Sequence, residues 1–146
     1  MSLFIDSPSR EDYFQITELW EASVRASHDF LGEADIQFFK PLILHEYLDA
    51  VDLYCVRDEQ DKITGFIGLA EDKVEMLFVH PYSFGKGIGK FLLQFAISEK
   101  GVTRVDVNEQ NPKAVDFYRH MGFDVTDRSE TDGLGKPFPI LAMKLQ

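Results

Sequence analysis

The stretch Lys73-Val74-Glu75-Met76-Leu77-Phe78-Val79-His80-Pro81-Tyr82-Ser83-Phe84-Gly85-Lys86-Gly87-Ile88-Gly89-Lys90 decides how this chain is read. Residues 73–80 have strand character, and Met76 through Val79 are continuously apolar, as in a strand covered on both faces of its sheet. A glycine-rich turn follows. Beyond it Ile88, Phe91, Leu92, Phe95 and Ala96 mark one apolar face of a helix, which Gly101 closes.

Working outward, residues 102–107 read as a strand, and Asn111-Pro112 opens a helix with a cap followed by proline at its first position. Ala114, Phe117, Tyr118 and Met121 line the inner face of that helix, and Gly122 ends it. Two final strands are placed near 123–129 and 138–145, separated by a turn-rich stretch from Asp132 to Pro137. Upstream, residues 52–57 and 62–70 are rich in Val, Tyr, Ile and Phe and read as strands. Tyr13, Ile16, Leu19, Trp20 and Val24 give an amphipathic helix over 10–26, entered at Ser9. Residues 33–49 carry a weaker helical pattern that Pro41 is expected to split into two pieces. Residues 3–6 read as a short strand. The order β-α-α-β-β-β-α-β-α-β-β predicts an α/β fold: one mixed central sheet with helices on both faces.

The chain has 146 residues, the size of one domain spanning 1–146, and neither a repeat nor a linker divides it. Its formal charge of −10 speaks against a nucleic-acid partner, which would require a basic face to displace counterions from phosphates. No apolar run approaches the ~20 residues that span a bilayer, so no membrane partner is expected. The single cysteine, Cys55, lies in the apolar run Leu53-Tyr54-Cys55-Val56 and reads as a buried thiol. No Cys/His cluster has zinc spacing, so no metal is expected. A soluble cytoplasmic protein, monomer or homodimer, is the resulting expectation.

Gly85, Gly87 and Gly89 expose successive backbone N–H groups at a helix N-terminus, where the dipole adds partial positive charge. Lys86 and Lys90 add two cations, so the turn suits a phosphate group. A P-loop requires four residues between its glycines and Ser or Thr after the lysine. Here Gly85 and Gly89 have three between them, and Phe91 follows Lys90. The dinucleotide fingerprint fails too, because the glycines alternate as Gly-x-Gly-x-Gly late in the chain.

Leu77-Phe78-Val79-His80-Pro81, the Gly87-Ile88-Gly89 turn, Asn111-Pro112-Lys113-Ala114-Val115-Asp116-Phe117-Tyr118 and Met121-Gly122-Phe123 together resemble the GNAT family of N-acetyltransferases. The resemblance is strong over residues 73–123, while the N-terminal third carries little family signature. It departs at Phe84, where the family has Gln or Arg three residues before its Gly-x-Gly. The resemblance implies acetyl-CoA as cosubstrate, bound between the strand at 74–79 and the strand at 102–107. The pantetheine arm would run along Leu77, Phe78 and Val79, pairing with the backbone of Leu77 and Val79 like an added strand. The amides of Gly85, Lys86, Gly87, Ile88, Gly89 and Lys90 would hold the pyrophosphate. Asn111 would contact the CoA arm as well as cap its helix, and Tyr118 would donate to the leaving sulfur.

Acetyl transfer to an amine also needs a proton acceptor. Glu75 has apolar neighbours on both sides, where burial should raise its pKa and suit it as the base; its plain alternative is a place at the wet end of the strand. His28, beside Asp29, is the competing base, with helix capping as its plain alternative. Asp106 and Glu109 are weaker candidates, and His80 and His120 read as solvent-facing or next to a turn. The acceptor pocket is expected from residues 26–50 and 130–138. His28, Asp29 and Phe30 are the candidate substrate-binding residues. Phe30, Phe38, Phe39 and Tyr47 supply an aromatic lining, which core packing explains equally well, and Asp29, Asp35 and Glu46 supply negative charge, which favours an amine-bearing acceptor. The alternative to an enzyme is a non-catalytic acyl-CoA-binding sensor using the same cleft.

Overall fold

In the computed structural model, which describes residues 3–146, six strands form one mixed sheet in the order β1-β2-β3-β4-β6-β5. β1 (Asp52–Arg57), β2 (Ile63–Ala70) and β3 (Lys73–Val79) make an antiparallel meander. β4 (Arg104–Asn108) lies parallel to β3, and β6 (Ile140–Leu145) pairs antiparallel with both β4 and β5 (Phe123–Ser129). Four helices, α1 (Tyr13–Ser27), α2 (Glu33–Leu42), α3 (Ile88–Lys100) and α4 (Pro112–His120), cover the sheet.

Side chains alternate across a strand, and β2 shows how that divides the core. Ile63 and Phe66 pack with Ile16, Leu19, Trp20 and Val24 of α1 and Ile36 of α2. Ile67 and Leu69 pack on the other side with Leu92, Leu93 and Ala96 of α3 and Val115 and Tyr118 of α4. Each large aliphatic side chain so enclosed contributes about 1.5–3 kcal/mol. Gly65 is required by this packing, because a Cβ there would lie 2.6 Å from Cγ2 of Ile88. Cys55 is fully buried, and burial pushes its thiol up to about 11, so it is inert.

Two elements differ from expectation. Residues 3–6 contribute only one bridge, between Asp6 and Cys55, with N–H···O bonds of 2.9 and 2.8 Å. Asp6 then turns away, accepting from the Ser7 amide, and ion-pairs with Arg57, which also holds Asp12. Pro41 does not split the second helical segment. α2 continues through it and then widens into a π turn over Ile43–Tyr47 and a 3-10 turn over Leu48–Ala50. The missing proline N–H is thus accommodated by a change of hydrogen-bond pattern rather than a break. Among the described residues no helix is long and apolar enough to cross a membrane.

Candidate active site

β3 and β4 pair only at Lys73↔Arg104 and Val74↔Val105. Beyond those two positions they part, and the gap widens into a cavity of about 370 Å³. Its walls come from β3 and β4, from α1 and the turn after it, from α2 and the π turn that extends it, from α4, and from the loop between β5 and β6. The His80 amide bonds back to the Thr64 carbonyl of β2 at 2.8 Å. Amides alternate between the two edges of a strand, so those of Leu77 and Val79 face the gap, where no strand partner stands. Leu77 and Phe78 also line the cavity.

Past Val79 the chain makes a short 3-10 turn over Pro81–Ser83 and enters the glycine loop. Gly87, at φ 79°, is the N-cap of α3, in a left-handed conformation that glycine adopts without strain. Among the described residues the amides of Gly85, Lys86, Gly87, Ile88, Gly89 and Lys90 donate to no protein acceptor; the first helical bond is Phe91 N–H to Gly87 O. Six unpartnered donors at a helix N-terminus fit a pyrophosphate. Ile88 takes part through its amide alone, because its side chain is buried against β2. Lys86 and Lys90 are exposed, and neither makes an ion pair among the described residues.

Tyr118 projects from α4 into the cavity, packed edge-on against Phe117 and Phe123. Its hydroxyl has no hydrogen bond within the described protein, and no enclosed polar atom is left without a partner, so the hydroxyl opens onto the cavity. Burial holds the phenol well above its ordinary pKa of 10. Asn111 begins the same helix. Its Oδ1 accepts from the Ala114 amide at 3.2 Å, and its Nδ2 lies 3.2 Å from His28 Nε2.

Glu75 lines the mouth of the cavity but is solvent-exposed. The burial expected from its apolar neighbours is absent, because the carboxylate sits where the two strands part. Asp106 also lines the cavity and is ion-paired with Lys73. Glu109 is held by Arg128 at 2.6 Å, outside the lining. His80 accepts from the Tyr82 amide at its turn, and His120 is exposed.

His28 and Phe30 reach the cavity, whereas Asp29 between them is exposed and does not line it. The Leu31 amide bonds to the His28 carbonyl, and this tight turn sends the Asp29 side chain outward. Phe39 and Tyr47 line the cavity as expected, but Phe38, Asp35 and Glu46 do not. Phe38 and Asp35 instead hold Lys136, which lies 4.3 Å over the Phe38 ring and 3.9 Å from the Asp35 carboxylate. Sequence reasoning missed Phe138, which meets Phe30 edge-on at 5.9 Å. It also missed Asp132 as a lining residue; its Oδ1 accepts from the Leu134 and Lys136 amides and shapes the loop over the cavity. The segment 130–138 was expected at the pocket, but its turn-forming composition singled out neither side chain. Among the described residues no group of three or more His, Cys, Asp or Glu is arranged to hold a metal ion.

Comparison with known proteins agrees with this geometry. The profile of a family described as "Acetyltransferase (GNAT) domain" matches residues 50–125. The peptidyl-lysine N-acetyltransferase YjaB of Salmonella typhimurium is 38% identical to this chain, over 97% of each. The solution structure of apo-form YjaB from Escherichia coli superposes with a TM-score of 0.88 at 35% identity, covering 99% of this chain and 97% of that one. The PaiA N-acetyltransferase of Thermoplasma acidophilum, solved in complex with coenzyme A, has the same fold, with a TM-score of 0.72 at 24% identity, covering 99% of each chain.

Proposed function

The chain belongs to the GNAT family of acetyl-CoA-dependent N-acetyltransferases, and from that premise we propose that its acceptor is the side-chain amine of a lysine in a protein or peptide. The observation that carries the transfer chemistry is the parting of β3 from β4, which leaves a free strand edge and the Tyr118 hydroxyl along one cavity, with six free amides in the glycine loop that follows β3. Acetyl-CoA supplies an activated thioester. The Leu77 and Val79 amides bind its pantetheine arm, and the amides from Gly85 to Lys90 bind its pyrophosphate. Lys86 and Lys90 neutralise phosphate charge.

The acceptor enters from the side of the α1–α2 turn and the 130–138 loop. Phe30, Phe39 and Phe138 suit the methylene stem of a lysine, and Glu75 and Asp132 suit its ammonium. The reaction forms a C–N bond and breaks the C–S bond. The ammonium loses two protons: one leaves to solvent past Glu75, and the other replaces the proton that Tyr118 gives to the sulfur. The names of the 38% and 36% identical relatives support the lysine acceptor, and the lone buried thiol of Cys55 suits a cytoplasmic setting.

The test is a thiol-release assay with acetyl-CoA and a matched panel of lysine peptides, free amino acids and polyamines. Lysine peptides are expected to give the highest kcat/KM. A polyamine preferred over every peptide would overturn the acceptor assignment. CoA binding by calorimetry with no turnover on the whole panel would favour the sensor reading.

A further inference from the structure

His28 ends α1 with both ring nitrogens engaged. Nδ1 lies 2.8 Å from the Ser27 hydroxyl, and Nε2 lies 3.2 Å from Asn111 Nδ2. The neighbours decide where the proton sits. Ser27 spends its one hydroxyl proton on the Ser23 carbonyl at 2.7 Å, so towards His28 it can only accept. Asn111 uses Oδ1 to accept from the Ala114 amide, so the atom it turns to His28 can only donate. One assignment satisfies every group: a neutral imidazole with its proton on Nδ1 and its lone pair on Nε2 taken up by Asn111.

We propose that His28 is a positioning residue and not the proton acceptor of the reaction: as a neutral hydrogen-bond acceptor it ties the end of α1 to the N-cap of α4, and so sets where α4 holds Tyr118. The ring is confined by Phe30 and Phe78, at 5.3 and 6.0 Å between centroids, so it cannot turn freely within the cavity wall. Protonation would place a second donor against Asn111 Nδ2. Either Asn111 then reverses its amide and the Ala114 N–H loses its acceptor, or the ring leaves its place. Burial already disfavours the imidazolium, with Asp29 acting in the opposite sense. The other titratable groups sharing the cavity are Glu75 on β3, Asp106 on β4 (paired with Lys73), Tyr118 on α4, Tyr47, and Asp132 from the 130–138 loop.

The kinetic part of this proposal rests on the acetyl-transfer reading; the spectroscopic part does not. In a multiple-bond ¹H–¹⁵N correlation spectrum at neutral pH, His28 should show a protonated Nδ1 and an unprotonated Nε2. An Nε2–H tautomer or an imidazolium there would overturn the proposal. In the assay, His28→Gln still offers Oε1 to Asn111 but cannot act as a base, whereas His28→Phe fills the space without an acceptor. His28→Gln should exceed His28→Phe in kcat by about tenfold or more, a difference typical of misplaced catalytic groups, and should lack any acid limb that His28 gives the wild type. Equal loss in the two variants would overturn the proposal. Wild-type protein without turnover on any amine would defeat the acetyl-transfer reading, and the tautomer would still decide this one.

Discussion

Tyr118 is held by its ring and free at its oxygen, so the two contributions can be separated by removing one atom. Tyr118→Phe keeps the edge-on contacts with Phe117 and Phe123 at 5.1 and 5.8 Å between centroids and deletes only the hydroxyl that opens onto the cavity. Because that hydroxyl has no partner to orphan, thermal stability should be unchanged while kcat falls about 100-fold, the scale of a lost general acid. Burial raises the phenol above its usual 10, so Tyr118 stays protonated as pH rises through the neutral and mildly basic range. Any basic limb in that range belongs to another group and should persist, with the same midpoint, in Tyr118→Phe. A pH–rate profile of both proteins checks this, and an undiminished kcat in the variant would remove Tyr118 from the chemistry.

At the scale of elements, the join between α1 and α4 makes a prediction whose sign depends on one atom of Asn111. In Asn111→Asp the carboxylate can still accept from the Ala114 amide, so the cap survives, but it offers His28 an acceptor instead of a donor. In the wild type the His28 pKa is lowered from 6.5, chiefly by burial, so the stability due to neutral His28 is complete above 6.5 and is lost as pH falls below it. In Asn111→Asp the new charge raises the folded pKa, so its contribution is present below 6.5 and lost as pH rises through the new value. The urea midpoint of the variant should therefore gain on that of the wild type as pH is lowered through the region around 6.5. A constant difference between the two proteins would argue against the contact. The cap itself was legible in the sequence, as were the glycine loop and the end of α3 at Gly101, because a cap or a left-handed glycine is decided within about four residues. The parting of β3 and β4 was legible only through family resemblance; nothing in the residues of either strand records that pairing stops at Val74 and Val105. The α2 continuation past Pro41 was not legible either, since local chemistry favours a break there and packing of Ile43 and Leu48 into the core overrides it. The contacts of Phe30 with Phe138 and of Lys136 with Phe38 and Asp35 join residues about a hundred positions apart, beyond any local signal.

Over the whole molecule the charge of −10 is unevenly arranged. Arg25, Lys40, Arg57, Lys73, Arg104 and Arg128 are each tied to carboxylates. Lys86 and Lys90, at the glycine loop and the start of α3, make no such pair among the described residues, while Glu75 stands exposed at the cavity mouth. A polyanionic cosubstrate and a cationic acceptor would thus meet opposite fields at opposite ends of one cleft. The field at the acceptor end comes from surface carboxylates, so salt should screen it over a Debye length of about 8–10 Å at near-physiological strength. Two acceptor peptides with the same central lysine, one flanked by lysines and one by glutamates, separate this field from recognition of the lysine itself. At low salt the basic peptide should have a KM about three- to tenfold lower, through faster association. The gap should close as ionic strength rises towards about 1 M, where the Debye length is about 3 Å. kcat should be indifferent to the flanks, because they never reach Tyr118. Lys86→Glu combined with Lys90→Glu should raise the KM for acetyl-CoA and leave the difference between the peptides intact, since those lysines face the other substrate. Peptides whose KM values stay equal at every salt concentration would mean that the acidity of the protein has no part in choosing its acceptor.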